Sequence, residues 1–312
     1  MTAQRTYPIA LAHGIARFDF LRKSIEINFR KLFGDVFDQV LSHLVSHGIQ
    51  IQTDQLHYFR GIRTYLEDDG FDVHHTNVSF AKGLESRAND LKRQIEDIIN
   101  STRTDKVHII AHSMGGLDSR FMIAKLGMAD RVASLTTIGT PHFGSSFADA
   151  GVKEGGTELI ALVSRAIDIR GFEDLTSDSC KRFNDSTGKA EAKNSVFYQT
   201  YSSAEDRARV FTFLQPSWDV INIEEGDNDG LVSVRSQAWV AELVADDGTS
   251  KKVVQKRFPI QADHLNEVGW WDLDEIWGDG PFNKLDSRTN YELAIKQVYL
   301  DIARDLRARF PA

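Results

Sequence analysis

Nucleophilic acyl transfer needs a hydroxyl held proud of its backbone beside a source of N–H groups, and residues 106–122, KVHIIAHSMGGLDSRFM, offer that arrangement. Residues 106–111 form a short apolar run with strand character, and small and apolar residues then recur at helical spacing from Met114 (Gly115, Leu117, Phe121, Met122), so a buried strand turns directly into a helix. Ser113 falls at the turn. A serine at the tip of so tight a turn is held in strained geometry, and only small residues fit two positions to either side. Ala111 and Gly115 occupy those positions, which gives the pattern G-x-S-x-G with alanine in the first place. The helix N-terminus behind Ser113 would present backbone N–H groups to a developing oxyanion.

A serine hydroxyl is a weak nucleophile until a histidine accepts its proton, and a carboxylate must hold that histidine in one tautomer. In doubly wound serine hydrolases the chain order is Ser, then Asp or Glu, then His. Of the ten histidines only His142 and His264 follow Ser113. His142 comes directly after a strand and leaves no room for an acid-bearing strand, so His264 is the candidate base. The acid is expected in the loop of INIEEGDNDGLVSV (221–234), read as a strand, an acidic turn and a second apolar run. Asp227 and Asp229 are the natural choices, with Glu224 and Glu225 behind them, and turn chemistry at Asn228-Asp229-Gly230 leaves the two aspartates open. The oxyanion donors would be the backbone N–H groups of Met114 and of Ile15, because the first strand ends in His13-Gly14, where an oxyanion loop begins.

The elements that must position these groups alternate strand and helix. Strands are expected at 9–12, 71–78, 106–111 and 132–141, with helices ending near Gly70, spanning 84–99 and following Ser113. That order predicts an α/β fold with a mostly parallel, doubly wound sheet whose crevice lies at the carboxyl ends of the strands, where His13, Ser113 and His142 all fall. Further strand-like runs stand at 196–201, 210–214, 220–223 and 252–260. A final helix over 291–310 has Ile295, Val298, Tyr299, Ile302 and Leu306 on one face. Two insertions interrupt the frame: 19–57, with an amphipathic helix from Leu32 to Val45, reads as a helical cap, and the glycine-rich 144–194, with a short apolar helix at 159–167, reads as a lid. We therefore expect a single domain over 1–312.

A formal net charge of −8 without any block of Lys and Arg excludes a phosphate-binding surface, hence nucleic acid as partner. Hydrophobic residues at 41% suffice for a large core, and the single cysteine, Cys180, rules out an internal disulfide. No run approaches transmembrane length. The apolar run 8–12 is too short for a signal sequence, which leaves a cytoplasmic protein as encoded, or a secreted one whose leader is missing.

The motifs TYPIALAHG, AHSMGGLDSRFM, TIGTPHFGSSFAD, EDLTSDSCKRFND, GDNDGLVSVRSQAW and ADHLNEVG together resemble the secreted true lipases of Pseudomonas and Burkholderia, family I triacylglycerol lipases of the α/β-hydrolase superfamily. The likeness covers most of the chain outside 19–57 and 150–170. It implies an α/β-hydrolase fold with helical lid and cap insertions, and hydrolysis of triacylglycerols and other fatty acyl esters, with a lipid or ester substrate as partner. It further implies Ser113 as nucleophile, Asp229 as acid, His264 as base, Ile15 and Met114 as oxyanion donors, and a lid after Phe143-Gly144. Three departures stand out: Ala111 replaces the family's usual glycine, the disulfide of some members is impossible, and Asn266 replaces the family's calcium-ligating Asp. An uncharged amide weakens calcium binding, and the acids nearby (Asp263, Glu267, Asp272, Asp274) read as a solvated face, so no cofactor is required and calcium stays an open but disfavoured ligand. Two other readings remain, a short-chain carboxylesterase and a non-catalytic binding protein on the same fold. Trp270 and Trp271, beside His264, could wall an acyl pocket or belong to the core.

Overall fold

A computed structural model of the chain describes residues 6–14, 54, 57–78, 83–153, 172–270 and 281–311, with the backbone alone for 281–288. Six strands, β1 (Ile9–Ala12), β2 (Val73–His75), β3 (Val107–His112), β4 (Val132–Ile138), β5 (Phe197–Ser202) and β8 (Val254–Arg257), form one sheet in the order β2-β1-β3-β4-β5-β8. Every pairing in it is parallel. A parallel sheet buries both faces of its inner strands, and β1, β3 and β4 are buried at every position, whereas the edge strand β8, VQKR, is not. In β1, Ile9 and Leu11 enter the core on one face while Ala10 and Ala12 enter the core on the other.

Each face is closed by helices whose apolar stripes are legible in the sequence. Helices α1 (Ile62–Glu67) and α8 (Pro281–Arg309) cover the first face; Ile295, Val298, Tyr299, Ile302 and Leu306 of α8 are all buried there, as their spacing predicts. Helix α2 (Leu84–Thr102) turns Ala88, Leu91, Ile95, Ile98 and Ile99 into the second face, beside α3 (Met114–Lys125). The chain leaves β1 toward β2 on one side and returns to β3 on the other. That reversal opens a crevice between the carboxyl ends of β1 and β3, where a doubly wound sheet binds its ligand. The fold expectation therefore holds.

The remaining elements are α4 (Ser146–Lys153), α5 (Ser177–Lys193), α6 (Gln215–Glu224), α7 (Val234–Ala238) and a short antiparallel hairpin of β6 (Glu242–Val244) with β7 (Ser250–Lys252). Two expected strands are overturned. Residues 212–214 form a single 3-10 turn and 220–223 lie inside α6. Leu214, Ser217 and Ile221 are buried at helical spacing, and Pro216 sits in the first turn, where its missing N–H costs nothing. The short apolar run at 220–223 was thus one turn of a helix. The expected helices at 32–45 and 159–167, like most of the insertion 19–57, lie outside the described residues.

A buried ion pair locks the elbow helix in place. The Arg120 guanidinium of α3, fully buried, donates to Glu191 of α5 at 2.7 and 2.9 Å and to Asn184 Oδ1 at 2.8 Å. It also lies 3.8 Å from the centre of the Trp239 ring. Removing one partner would strand the other charge in the interior, so Arg120→Ala is expected to cost about 3–5 kcal/mol in urea unfolding. A loss below about 1 kcal/mol would show that water reaches Glu191 after all.

Candidate active site

At the end of β3 the backbone of Ser113 takes φ 55° and ψ −134°, a conformation that L-residues adopt only where the surroundings enforce it. Two glycines show what enforces it. A Cβ on Gly115 would stand 2.5 Å from the carbonyl oxygens of Ala12 and His13, and a Cβ on Gly14 would stand 2.5 Å from that of Ser113. The end of β1 and the elbow therefore touch backbone to backbone. Thr140, at the end of β4, donates its hydroxyl to the Ser113 carbonyl at 2.8 Å and closes the turn from the other side.

His264 comes from the loop after β8, far along the chain, yet its Nε2 lies 2.9 Å from Ser113 Oγ. Its Nδ1 lies 2.8 Å from Asp229 Oδ2. The two oxygens of Asp229 have separate tasks. Oδ1 accepts from the N–H groups of Leu231 at 2.8 Å and Val232 at 2.7 Å, the Asx-type turn read from the sequence. Oδ2 faces the imidazole and also accepts from Gln237 at 3.1 Å. The backbone N–H of His264 donates to the Asp229 carbonyl at 2.8 Å, so the two loops are joined twice. Asp229 is fully buried, whereas Asp227 is exposed. Glu224 is exposed as well, and Glu225 accepts from Ser146 N and Ser233 Oγ, which ties α4 to the turn.

Met114 opens α3, where an N–H has no acceptor within the helix, and it stands next to the serine. Ile15 lies outside the described residues. His142 is held elsewhere, stacked on Trp239 at 4.7 Å and hydrogen-bonded to Thr137 and Arg120. Trp270 belongs to the core, its indole N–H donating to the Tyr58 carbonyl at 2.8 Å, and Trp271 lies outside the described residues. Burial pushes the Cys180 thiol up to about 12.

Ser113 and His264 sit at the floor of a hollow of about 520 Å³, open mouth included. Its walls are apolar: Phe147 and Ala148 of α4, Phe172, Leu175, Leu231 and Leu265. From the stretch read as a lid, α4 and the turn at 172–175 border this hollow, while α5 packs against α3.

Asp263 and Glu267, read from the sequence as part of a solvated acidic face, are both fully buried, which corrects that expectation. Their placement bears on calcium. Asp263 Oδ1 accepts from Leu265 N and Asn266 N, and its Oδ2 from Phe211 N, all within 2.9 Å. Asn266 Oδ1 accepts from Asp263 N and its amide donates to the Trp270 carbonyl. Burial, only partly offset by those N–H groups, pushes the Asp263 carboxyl up to about 7. With the Asp263 oxygens committed to three backbone N–H groups and only an uncharged amide at Asn266, this cluster does not fit a hard cation. One other buried group, His112, His264 and Glu267, brings metal-ligating atoms within 4.8 Å of one another, but the nitrogens of both rings already bond to side chains.

Sequence reasoning missed Gln237, which donates to Asp229, and Tyr58 and Glu267, which both bond to His112 beside Ser113. Glu267 was within reach, since it follows Asp263 by one helical turn among Leu265, Val268 and Trp270.

Comparison with known proteins agrees with the architecture. Residues 47–264, more than half of the chain, match the alpha/beta hydrolase fold family, and the protein belongs to it. The sequence is 29% identical over 289 residues to triacylglycerol lipase 2 of Saccharomyces cerevisiae, a match covering 86% of this chain and 82% of the yeast protein. It is 32% identical over 147 residues to a triacylglycerol lipase of Burkholderia plantarii, covering 47% of this chain and 33% of that one. Among solved structures, that of a metagenomic carboxyl esterase superposes with a TM-score of 0.62 at 15% identity, covering 99% of this chain and 77% of the esterase.

Proposed function

We propose that the protein is a carboxylic ester hydrolase of the lipase type, acting on triacylglycerols and other fatty acyl esters through an acyl-enzyme. The reading rests on one observation, the unbroken Ser113–His264–Asp229 hydrogen-bond path of 2.9 and 2.8 Å at the floor of an apolar hollow. Ser113 Oγ attacks the ester carbonyl as His264 Nε2 takes its proton. The oxyanion is received by the N–H of Met114 and, from the loop after β1, that of Ile15. Collapse expels the alcohol, which carries off the proton from His264, while Asp229 stabilises the transient imidazolium. A water molecule then repeats the sequence on the acyl-enzyme and releases the fatty acid. No cofactor enters these steps. The whole chain serves as one domain, with 19–57 as cap and 144–194 as cover.

Both the yeast and the Burkholderia relatives are named for triacylglycerol hydrolysis, and the wall of Phe, Leu and Ala suits an acyl chain better than a polar one. Among the described residues no helix is long and apolar enough to cross a membrane. The substrate test is a series of p-nitrophenyl esters from acetate to palmitate together with emulsified triacylglycerol. Each methylene seated in the hollow contributes about 0.8 kcal/mol, so kcat/KM is expected to rise roughly fourfold per carbon until the hollow is filled. A maximum at acetate with no action on the emulsion would make the protein a short-chain carboxylesterase instead. Failure of a phosphonate ester to label Ser113 would leave only a binding protein.

A further inference from the structure

A second hydrogen-bonded path runs behind the first. Tyr58 Oη lies 2.7 Å from His112 Nδ1, and His112 Nε2 lies 2.9 Å from Glu267 Oε2. All three side chains are buried. Each belongs to a segment that carries part of the site. His112 immediately precedes Ser113, and Glu267 lies one turn beyond His264, its backbone carbonyl accepting from the Tyr299 hydroxyl at 2.9 Å. The Tyr58 hydroxyl stands 2.8 Å from where a Cβ on Gly14 would be, against the loop that leads to Ile15, and it lines the hollow beside Ser113.

We infer that Glu267, His112 and Tyr58 form a positioning chain that ties the base loop and the nucleophile elbow to the chain at Gly14, just after β1, and so sets the oxyanion side of the site. This inference rests on the proposed hydrolase reading. The imidazole rings of His112 and His264 are 4.5 Å apart, centre to centre. A charge on His112 would oppose the imidazolium that His264 must become, so a neutral ring is the useful state. Burial, followed by the nearness of His264, holds His112 well below its ordinary range. Burial, with Asp229 and Asp263 adding to it, holds the Glu267 carboxyl well above its own. The second oxygen of Glu267, Oε1, has no hydrogen-bond partner among the described residues, an arrangement an ionised carboxylate would not tolerate. A neutral imidazole has one donor and one acceptor, so it joins two neighbours in a fixed sense and leaves Tyr58 little freedom to move.

The test is a double-mutant cycle in the full chain with p-nitrophenyl butyrate as substrate. Tyr58→Phe is expected to lower kcat about 10- to 100-fold with KM within about threefold, part of what a lost oxyanion donor costs. Affinity for an alkyl trifluoromethyl ketone, whose adduct with Ser113 carries the same oxyanion, should fall by a similar factor. Glu267→Ala should reproduce the loss, and Glu267→Gln, which keeps a hydrogen-bonding group in place, should recover most of it. The Tyr58→Phe/Glu267→Ala double variant should be no slower than the worse single, because one chain is broken only once. A Tyr58→Phe enzyme within about twofold of the parent in kcat, or losses that multiply in the double variant, would overturn the inference. Should Tyr58→Phe fail to fold, the comparison of Glu267→Gln with Glu267→Ala still decides, equal losses counting against it. Parent protein that neither turns over the ester nor reacts with a phosphonate would instead sink the hydrolase reading.

Discussion

Ser113→Ala is expected to lower kcat on p-nitrophenyl esters by roughly 10⁴- to 10⁶-fold while leaving the fold and the binding of substrate nearly as they were. The size follows from what is lost: without Oγ no acyl-enzyme forms, and water alone would have to use the remaining donors. Stability should be preserved because the change removes one buried atom and leaves the backbone of the elbow as it is, closed by Thr140 and by the end of β1. Turnover and unfolding by circular dichroism, measured on the same preparation, check both halves. A variant that kept even a tenth of the parent rate would show that Ser113 is not the nucleophile.

Nearly as large an effect is expected from Asp229→Asn, about 10⁴-fold in kcat, against a change within about twofold for Asp227→Asn. Asparagine can still offer an oxygen to the Leu231 and Val232 N–H groups, so the turn survives. Its NH₂ group would then face His264 Nδ1 and force that nitrogen to accept. The ring proton would move to Nε2, the atom that must be bare to take the proton of Ser113. Asp227 is exposed and contributes only its backbone carbonyl, which accepts from Val234 N at 2.8 Å. A larger loss at Asp227 than at Asp229 would reverse the assignment of the acid.

Local signals made most of this legible. The strand-serine-helix layout announces itself through the small residues that close contact demands, and the burial of both sheet faces leaves near-continuous apolar runs such as VHIIAH and VASLTTI. Histidine supply narrowed the base to His264 without any knowledge of geometry. Asp227 and Asp229 could not be separated in this way, because turn propensity acts on both, and only the direction in which the Asn228–Gly230 turn points its side chains buries one and exposes the other. The strands expected at 210–214 and 220–223 failed for a related reason. Apolar runs this short fit either period, and the deciding contacts, Leu214 beneath Gly230 and Ser217 donating to the Gly230 carbonyl, are tertiary. Asp263 and Glu267 were read as solvated because acids usually are. Their burial depends on backbone N–H groups and on an imidazole brought in from β3, partners that no local window of sequence contains.

Cys180 is the chain's one sulfhydryl, and it is sealed between α5 and the body with a thiol that resists ionisation. Native protein is therefore blind to maleimide chemistry, and a cysteine introduced at Val152, half exposed near the end of α4, would be the sole point of attachment for a dye. Fluorescence from that position would report on α4, whose Phe147 and Ala148 wall the hollow, as an acyl chain arrives and leaves.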